Sequence, residues 1–324
     1  MSKLETVAIA GVGRAGLQHA RAASAIGLRV AAFSSLSESS QRAQAFSQEF
    51  PLARRIDFSD GSLSESADLL VLALPPEVTD EALPRFVHRG RQLLVEKPLA
   101  LSTPRIEEIA ALALDTDCRV TVGYNRRVYP LVLRLREFLQ DNPPKTAEVT
   151  IVEDLDFIAI TKGPRSLRSY LRHGATTHML DLAEYLFGEL TVEDVRAAQS
   201  PHGRGFVDYE IASRGERGTR VNITIDAGDR SRRGMRLVTA DGQELRLAPL
   251  EHLWIGPQRG HTESDGDFNG MHLDNPTSYT DSFVTQMRLI SEGRISELHG
   301  VHDSLKLSKF VDLLEVASEG LRHE

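Results

Sequence analysis

The sequence predicts two domains: a doubly wound parallel α/β domain over residues 1–123, and an α+β domain with a largely antiparallel, open-faced sheet over residues 124–324. Three observations predict this. The first part alternates short apolar runs with helical stretches across short connections, which is the βαβ pattern of a parallel sheet. The later part carries period-two runs, in which every other residue is apolar, as in antiparallel strands with one buried face. The length, 324 residues, is enough for two cores.

The first strand, near Leu4 to Ala10, runs into Gly11-Val12-Gly13-Arg14-Ala15-Gly16, and a helical run follows from Leu17 to Ile26. Strand, Gly-x-Gly-x-x-Gly and helix in this order form a dinucleotide-binding (Rossmann) turn. Gly11 permits the turn, Gly13 lets a pyrophosphate approach the backbone, and Gly16 lets the helix pack close to the strand. The amides at the helix start, from Arg14 and Ala15 onward, then face the anion. Another glycine-rich βα turn is the plainer alternative. Leu28 to Phe33 is a second strand. The ribose-binding acid usual at its end is absent; Ser34, Ser35 and Ser37 stand there, and Glu38 lies past the apparent strand end. Serines donate to a 2′-phosphate that an aspartate would repel, so NADP is slightly preferred over NAD, with Arg14 and Arg42 as possible added charge.

A helix over Glu38 to Phe50, a strand over Ala67 to Leu74 and a helix over about Val78 to Arg89 continue the alternation. The strand Gln92 to Val95, the helix Thr103 to Leu114 and the strand Arg119 to Val122 complete it. Leu74-Pro75-Pro76 and Glu96-Lys97-Pro98 both follow strand C-terminal ends, where open α/β sheets bind ligands. A lysine beside an oxidised nicotinamide can lose enough proton affinity to act in proton transfer. A solvated lysine in a turn is the alternative.

Past Pro130, Leu131 to Leu139 reads as a helix. Alternating runs then include Val149, Ile151, Leu155 and Phe157; Val207, Tyr209 and Ile211; Val221, Ile223 and Ile225; and Leu245 and Leu247. Asp241-Gly242 is a hairpin signal. The basic stretch Thr161 to His173 holds Arg165 and Arg168, which could clamp a carboxylate or phosphate. Gly256 to Pro276, with His261 and His272, reads as a loop over the crevice. Its histidines lack the tight spacing of a metal site, so no metal is expected. Tyr279 to Ile290 and Asp303 to Leu314 read as closing helices that can pack back on the first domain.

Composition narrows the function. A net charge of −8 argues against a general nucleic-acid binder. The single cysteine, Cys118, allows no internal disulfide and suits a reducing, cytoplasmic compartment. The first residues read as a strand rather than a signal peptide, and no apolar run is long enough to span a bilayer.

Gly11 to Gly16, Glu96-Lys97-Pro98, the block Gly123-Tyr124-Asn125-Arg126-Arg127-Val128-Tyr129-Pro130, and Thr177-His178-Met179-Leu180-Asp181 through Gly188 together resemble the glucose–fructose oxidoreductase / inositol dehydrogenase (Gfo/Idh/MocA) family. The resemblance runs over nearly the whole chain. It implies an NAD- or NADP-dependent oxidoreductase acting on a sugar, cyclitol or nucleotide sugar. It implies a cis bond between Lys97 and Pro98, Glu96 and Asn125 near the cofactor, Lys97 as catalytic, and His178 in the substrate pocket with Thr177 and Arg126. It also implies a homodimer or homotetramer meeting through the sheet, whose outward residues here include Thr150, Val152 and Thr224 as well as charges.

One departure matters. Family enzymes usually carry an aspartate four residues before the histidine, and this chain has Gly174 there. Gly174 is expected to break the helix, so that Thr176 or Thr177 caps a new one with His178 in its first turn. Free amides there would favour a neutral His178 that positions substrate while Lys97 carries the proton. The same departure leaves open a second reading, a cofactor-binding sensor or regulatory protein without turnover.

Overall fold

A computed structural model of the chain describes residues 4–35, 40–162, 169–202, 206–256, 271–274 and 277–321. The chain divides into two compact units, 1–128 with 280–309, and 129–279 with 310–324.

The first unit is built on six parallel strands, β1 (Thr6–Ala10), β2 (Arg29–Ser34), β3 (Arg54–Arg55), β4 (Leu69–Leu72), β5 (Gln92–Val95) and β6 (Arg119–Val122). Their order is β3-β2-β1-β4-β5-β6, a doubly wound sheet. Leu69 to Leu72 are all buried, because helices cover both faces of such a sheet. The helix α1 (Arg14–Ala25) buries Gly16, His19, Ala20, Ala22 and Ala23 on one stripe, and small side chains there bring it close to β1.

Ser40 caps α2 (Gln41–Glu49) by accepting from the Ala43 amide, so this helix starts later than the run from Glu38 suggests. The short α3 (Ser62–Glu65) precedes β4. The expected helix from Val78 to Arg89 is shorter: α4 (Pro76–Ala82) starts at Pro76 and passes into a 3₁₀ turn at Leu83–Arg85, where Pro84 cannot continue the α-helical bonding. The last helix of the alternation is α5 (Thr103–Thr116). The C-terminal stretch returns to this unit: the Val122 amide donates to the His299 carbonyl, and Gly300 bridges Thr121.

The second unit opens with α6 (Pro130–Asp141) and β7 (Pro144–Val152). Three helices follow, α7 (Leu155–Lys162), α8 (Tyr170–His173) and α9 (Thr176–Phe187). Leu155 and Phe157 therefore lie in a helix, not in a continuation of the strand. The strand stops at Val152, which is fully buried rather than outward, and Asp154 caps the next helix through the Phe157 amide.

The remaining strands are β8 (Thr191–Gln199), β9 (Val207–Arg214), β10 (Arg220–Asp226), β11 (Gly234–Thr239), β12 (Glu244–Leu247), β13 (His252–Ile255) and β14 (Met271–Asp274). The sheet order is β14-β13-β12-β11-β7-β10-β9-β8, antiparallel except for the parallel pair β7 and β10. Val149, Ile151, Ile211, Ile223, Ile225, Leu237, Leu245 and Leu247 form its buried face. The other face is polar: Arg236 pairs with Glu244 at 2.7 Å and with Glu148 at 3.4 Å across three strands. Gly242, at φ 88°, makes the hairpin between β11 and β12. Two helices end the chain, α10 (Ser278–Ser291) and α11 (Val301–Ala317).

Candidate active site

In the first unit the three turn glycines are of two kinds. Gly11 has φ 94°, and a Cβ there would lie 2.3 Å from the Ala73 carbonyl oxygen. At Gly16 a Cβ would lie 1.8 Å from the Gly11 carbonyl oxygen. Both positions are closed by backbone, so they are packing glycines. Around Gly13 a Cβ would meet nothing within 4 Å. Gly13 holds the N-cap position of α1 with no side-chain cap, so the first amides of the helix face open space. This cradle fits a pyrophosphate over Gly13, Arg14 and Ala15. Arg14 is exposed. Leu74 and Pro75 flank the turn: the Leu74 side chain lies 3.1 Å from where a Gly11 Cβ would stand, and Pro75 precedes α4.

At the end of β2, the Ser34 carbonyl accepts from the Gly11 amide at 2.9 Å. The Ser34 hydroxyl is buried, without a hydrogen-bond partner among the described residues. Ser35 is half-buried. Ser37 and Glu38 lie outside the described residues. Arg55 stands opposite Phe33 in β3, beside this strand end.

Glu96 and Lys97 follow β5, and the Lys97–Pro98 peptide bond is cis. Lys97 is half-buried. The sequence reading missed the partner of Glu96. His19, with no exposed surface, donates from Nε2 to Glu96 Oε1 at 2.7 Å and meets the Phe283 ring edge-on at 4.8 Å. A Cβ on Gly123 would sit 3.2 Å from the Glu96 carboxyl atoms, so glycine at 123 leaves room for that carboxylate. The signal for His19 was its position on the buried stripe of α1 beside Gly16, where a polar residue needs a partner.

Two residues of the 123–130 block bond to the C-terminal stretch of this unit. Asn125 is buried and donates to Ser282 Oγ at 3.0 Å. Arg127 is buried, 3.1 Å from His299 Nδ1 and 3.3 Å from Asp303. Arginine only donates, so His299 Nδ1 accepts and its Nε2–H donates to Ser304 Oγ at 2.8 Å. Arg126 is half-buried beside them.

In the second unit, Gly174 ends α8 and α9 begins two residues later, so the helix does break at Gly174. Thr176, Thr177 and His178 form the first turn of α9. The expected threonine cap is absent: Ala175 holds the cap position and has no side-chain bond to give. Glu153, buried just past β7, caps the helix instead. Its carboxylate accepts from the Ala175 amide at 2.8 Å, the Thr176 amide at 2.6 Å and the Thr176 hydroxyl at 2.5 Å. Two of the amides at the start of this helix, those of Ala175 and Thr176, are thus bonded to an acid rather than free. Thr177 is buried and bonds the Arg172 carbonyl at 3.4 Å. Asp181, one turn beyond His178, is fully buried.

Of the basic stretch before this helix, Arg165 and Arg168 lie outside the described residues. Arg172 is a structural residue: it is buried and pairs with Asp312 and, at 3.1 Å, with Glu315 on α11. His261 also lies outside the described residues, and the backbone of His272 belongs to β14, opposite Trp254. A cavity lined by Phe58, Arg85, Phe86 and His88 lies at the N-terminal ends of β4 and β5, at the other end of those strands from Lys97 and Glu96.

Comparison with known proteins agrees with the fold. A family described as "Oxidoreductase family, NAD-binding Rossmann fold" matches residues 6–124. An inositol 2-dehydrogenase from Rhizobium meliloti is 24% identical over 181 residues, covering 56% of this chain and 49% of the relative, so the chain spans about half that relative's length in the match. Among solved structures, UDP-N-acetylglucosamine 3-dehydrogenase from Acidithiobacillus ferrooxidans superposes with a TM-score of 0.78 at 20% identity, covering 100% of both chains. An oxidoreductase from Agrobacterium radiobacter, solved with NAD+, L-tartaric acid and magnesium, gives 0.75 at 16% identity over 98% and 97% of the two chains. At such identity these likenesses concern the fold.

Proposed function

Because the chain belongs to the Gfo/Idh/MocA oxidoreductase family, we propose that it catalyses hydride transfer between a nicotinamide cofactor and an alcohol or ketone carbon of a sugar, cyclitol or nucleotide sugar. The observation that carries this reading is the arrangement of one sheet edge. The open Gly13 cradle follows β1, and Glu96-Lys97 follows β5, two strands along in the same parallel order.

Gly13, Arg14 and Ala15 hold the pyrophosphate through backbone amides, with Gly11 and Gly16 shaping the turn. Leu74 and Pro75 line the cofactor's path, Glu96 hydrogen-bonds the nicotinamide ribose, and Asn125 supports that end. The bound cofactor supplies the hydride acceptor or donor. Lys97 Nζ gives or takes the proton of the substrate oxygen. His178 is a hydrogen-bond partner of the substrate, with Thr177 in the same turn. Arg126, Arg165 and Arg168 meet its polar or anionic groups. NADP is favoured over NAD, since no acid stands among the described residues at the end of β2 and Arg14, Arg42 and Arg55 are exposed cations on the elements around it. The enzyme works as a homodimer or homotetramer in the cytoplasm. No helix among the described residues is long and apolar enough to cross a membrane.

The alternative reading, a sensor without turnover, rested on the missing acid at Gly174. The buried Glu153 carboxylate stands against Gly174, where it accepts from the Ala175 and Thr176 amides, and the turnover assay decides between the two readings.

The test uses purified protein. NADH and NADPH are titrated by fluorescence, and UDP- and dTDP-sugars, free sugars and inositols are then screened with NAD+ and NADP+ at the nicotinamide absorbance band. Turnover with one substrate class supports the reading, and tighter NADPH binding supports the cofactor preference. Tenfold tighter NADH reverses that preference. Cofactor binding without turnover on any class refutes the enzyme.

A further inference from the structure

We propose that Glu153 is a positioning residue for the reaction: its carboxylate, presented from the central sheet, sets the turn that carries Thr177 and His178. This rests on the oxidoreductase reading above and adds to it a residue that no motif in the sequence marks.

Two independent observations meet at this carboxylate. The first is its bonding. Glu153 is 3% exposed, and its two oxygens accept from the Ala175 and Thr176 amides and the Thr176 hydroxyl. These are amides that a helix leaves unpaired at its start, and Ala175 has no side chain able to serve them. The second is the glycine. Gly174 has φ −87°, which any L residue adopts, so backbone conformation does not require glycine here. Space does. A Cβ at 174 would stand 2.0 Å from Glu153 Oε2 and 2.4 Å from its Cδ. The carboxylate occupies the volume into which a side chain at 174 would grow.

The anchor is rigid at its other end. The Glu153 amide donates to the Asp226 carbonyl at 2.7 Å, at the end of the parallel pair β7 and β10. On the far side of Gly174, Arg172 is held by Asp312 and Glu315, and the Tyr170 hydroxyl donates to the Val207 carbonyl at 3.1 Å. Between these fixed points Glu153 supports the turn through the Ala175 and Thr176 amides. His178 is the third residue of α9, so a tilt of this turn moves its imidazole directly. A misplacement of about 1 Å in a reacting site costs on the order of 100-fold in rate.

The test uses the full-length protein in four forms: wild type, Glu153→Gln, Glu153→Ala, and Glu153→Ala with Gly174→Asp, which moves the carboxylate from the strand to the residue before the cap. With the substrate found in the panel, Glu153→Gln should lower kcat by about 10- to 100-fold. The Kd for NADPH should stay near wild type, while the melting temperature falls by a few degrees, because the new side-chain NH2 cannot accept from a helix amide. Glu153→Ala should lose more, and the double variant should recover at least tenfold of that loss. Hydrogen exchange gives a readout independent of turnover: the Ala175 and Thr176 amides should exchange at least tenfold faster in Glu153→Ala and be protected again in the double variant.

Glu153→Gln with more than half of wild-type turnover overturns the proposal, as does unchanged exchange at those two amides in Glu153→Ala. If wild type binds cofactor but turns over nothing in the panel, the oxidoreductase reading fails. The assignment of Glu153 as the anchor of this turn is then decided by the exchange data alone.

Discussion

Replacing Gly13 with alanine separates binding from folding. A Cβ at 13 meets no atom within 4 Å, and the backbone there, φ −73° and ψ −170°, suits any residue. Alanine narrows the unfolded ensemble, a gain of about 0.4–1 kcal/mol. Against that, alanine is a poorer N-cap than glycine by a similar amount. The net change in stability is within about 1 kcal/mol. The open space over Gly13 is where the pyrophosphate approaches, and a methyl group there lifts the anion off the amides. Losing one hydrogen bond to a charged group costs about 1.5–3 kcal/mol, or about 10- to 150-fold in Kd at ~1.4 kcal/mol per decade. Gly11→Ala is the control. Its Cβ would press on the Ala73 carbonyl at 2.3 Å with φ at 94°, which costs about 3 kcal/mol or more. Thermal melts and fluorescence titration with NADPH and NADH read both. The expected result is a Gly13→Ala protein with wild-type melting and at least tenfold weaker binding, beside a Gly11→Ala protein that melts early. A Gly13→Ala Kd within twofold of wild type refutes the reasoning, because the anion would then not lie over residue 13.

Lys97→Met should keep cofactor affinity and cut turnover by about 10²–10⁴, the range of a general acid–base group; one third of wild-type turnover at saturating substrate would make Lys97 a cofactor or packing residue. Asp68 accepts from the Glu5 and Thr6 amides and the Thr6 hydroxyl at 2.8–2.9 Å. Burial pushes its carboxyl up, but these bonds together with Arg91 outweigh it and hold it below the usual carboxylate range. A lowered folded-state pKa contributes stability that is present above the unfolded value and lost as pH falls through the folded one. Asp68→Asn should therefore flatten the loss of stability below about pH 4, read from urea midpoints across pH; an unchanged acid limb would refute it. Burial pushes the Cys118 thiol up to about 11, so a thiol-disulfide reagent at pH 8 should label it only after denaturation, and full labelling of native protein within minutes would contradict that.

The cofactor half was legible in the sequence because its signals are local. The strand, the glycine turn and α1 lie within about two dozen consecutive residues, and the glycines report their constraints through a neighbour or two. Period-two alternation likewise marked most of the second sheet, since a strand with one wet face must alternate. Alternation could not say where β7 ends. Leu155 and Phe157 keep the apolar spacing, yet Asp154 caps a helix there, and over so few residues the two periods overlap. The sequence by itself determined the two classes of sheet, the cofactor turn, the Glu96-Lys97-Pro98 corner and the break at Gly174. Only the tertiary structure decided the partners. His19 meets Glu96 across 77 residues, and Arg172 meets Asp312 across 140. At Gly174 a carboxylate 21 positions earlier in the chain fills the side-chain volume. A residue's type shows that it needs a partner when buried, since an unpaired polar group there costs about 1–3 kcal/mol. Which partner it finds depends on the path of the chain through both sheets, and no local pattern carries that.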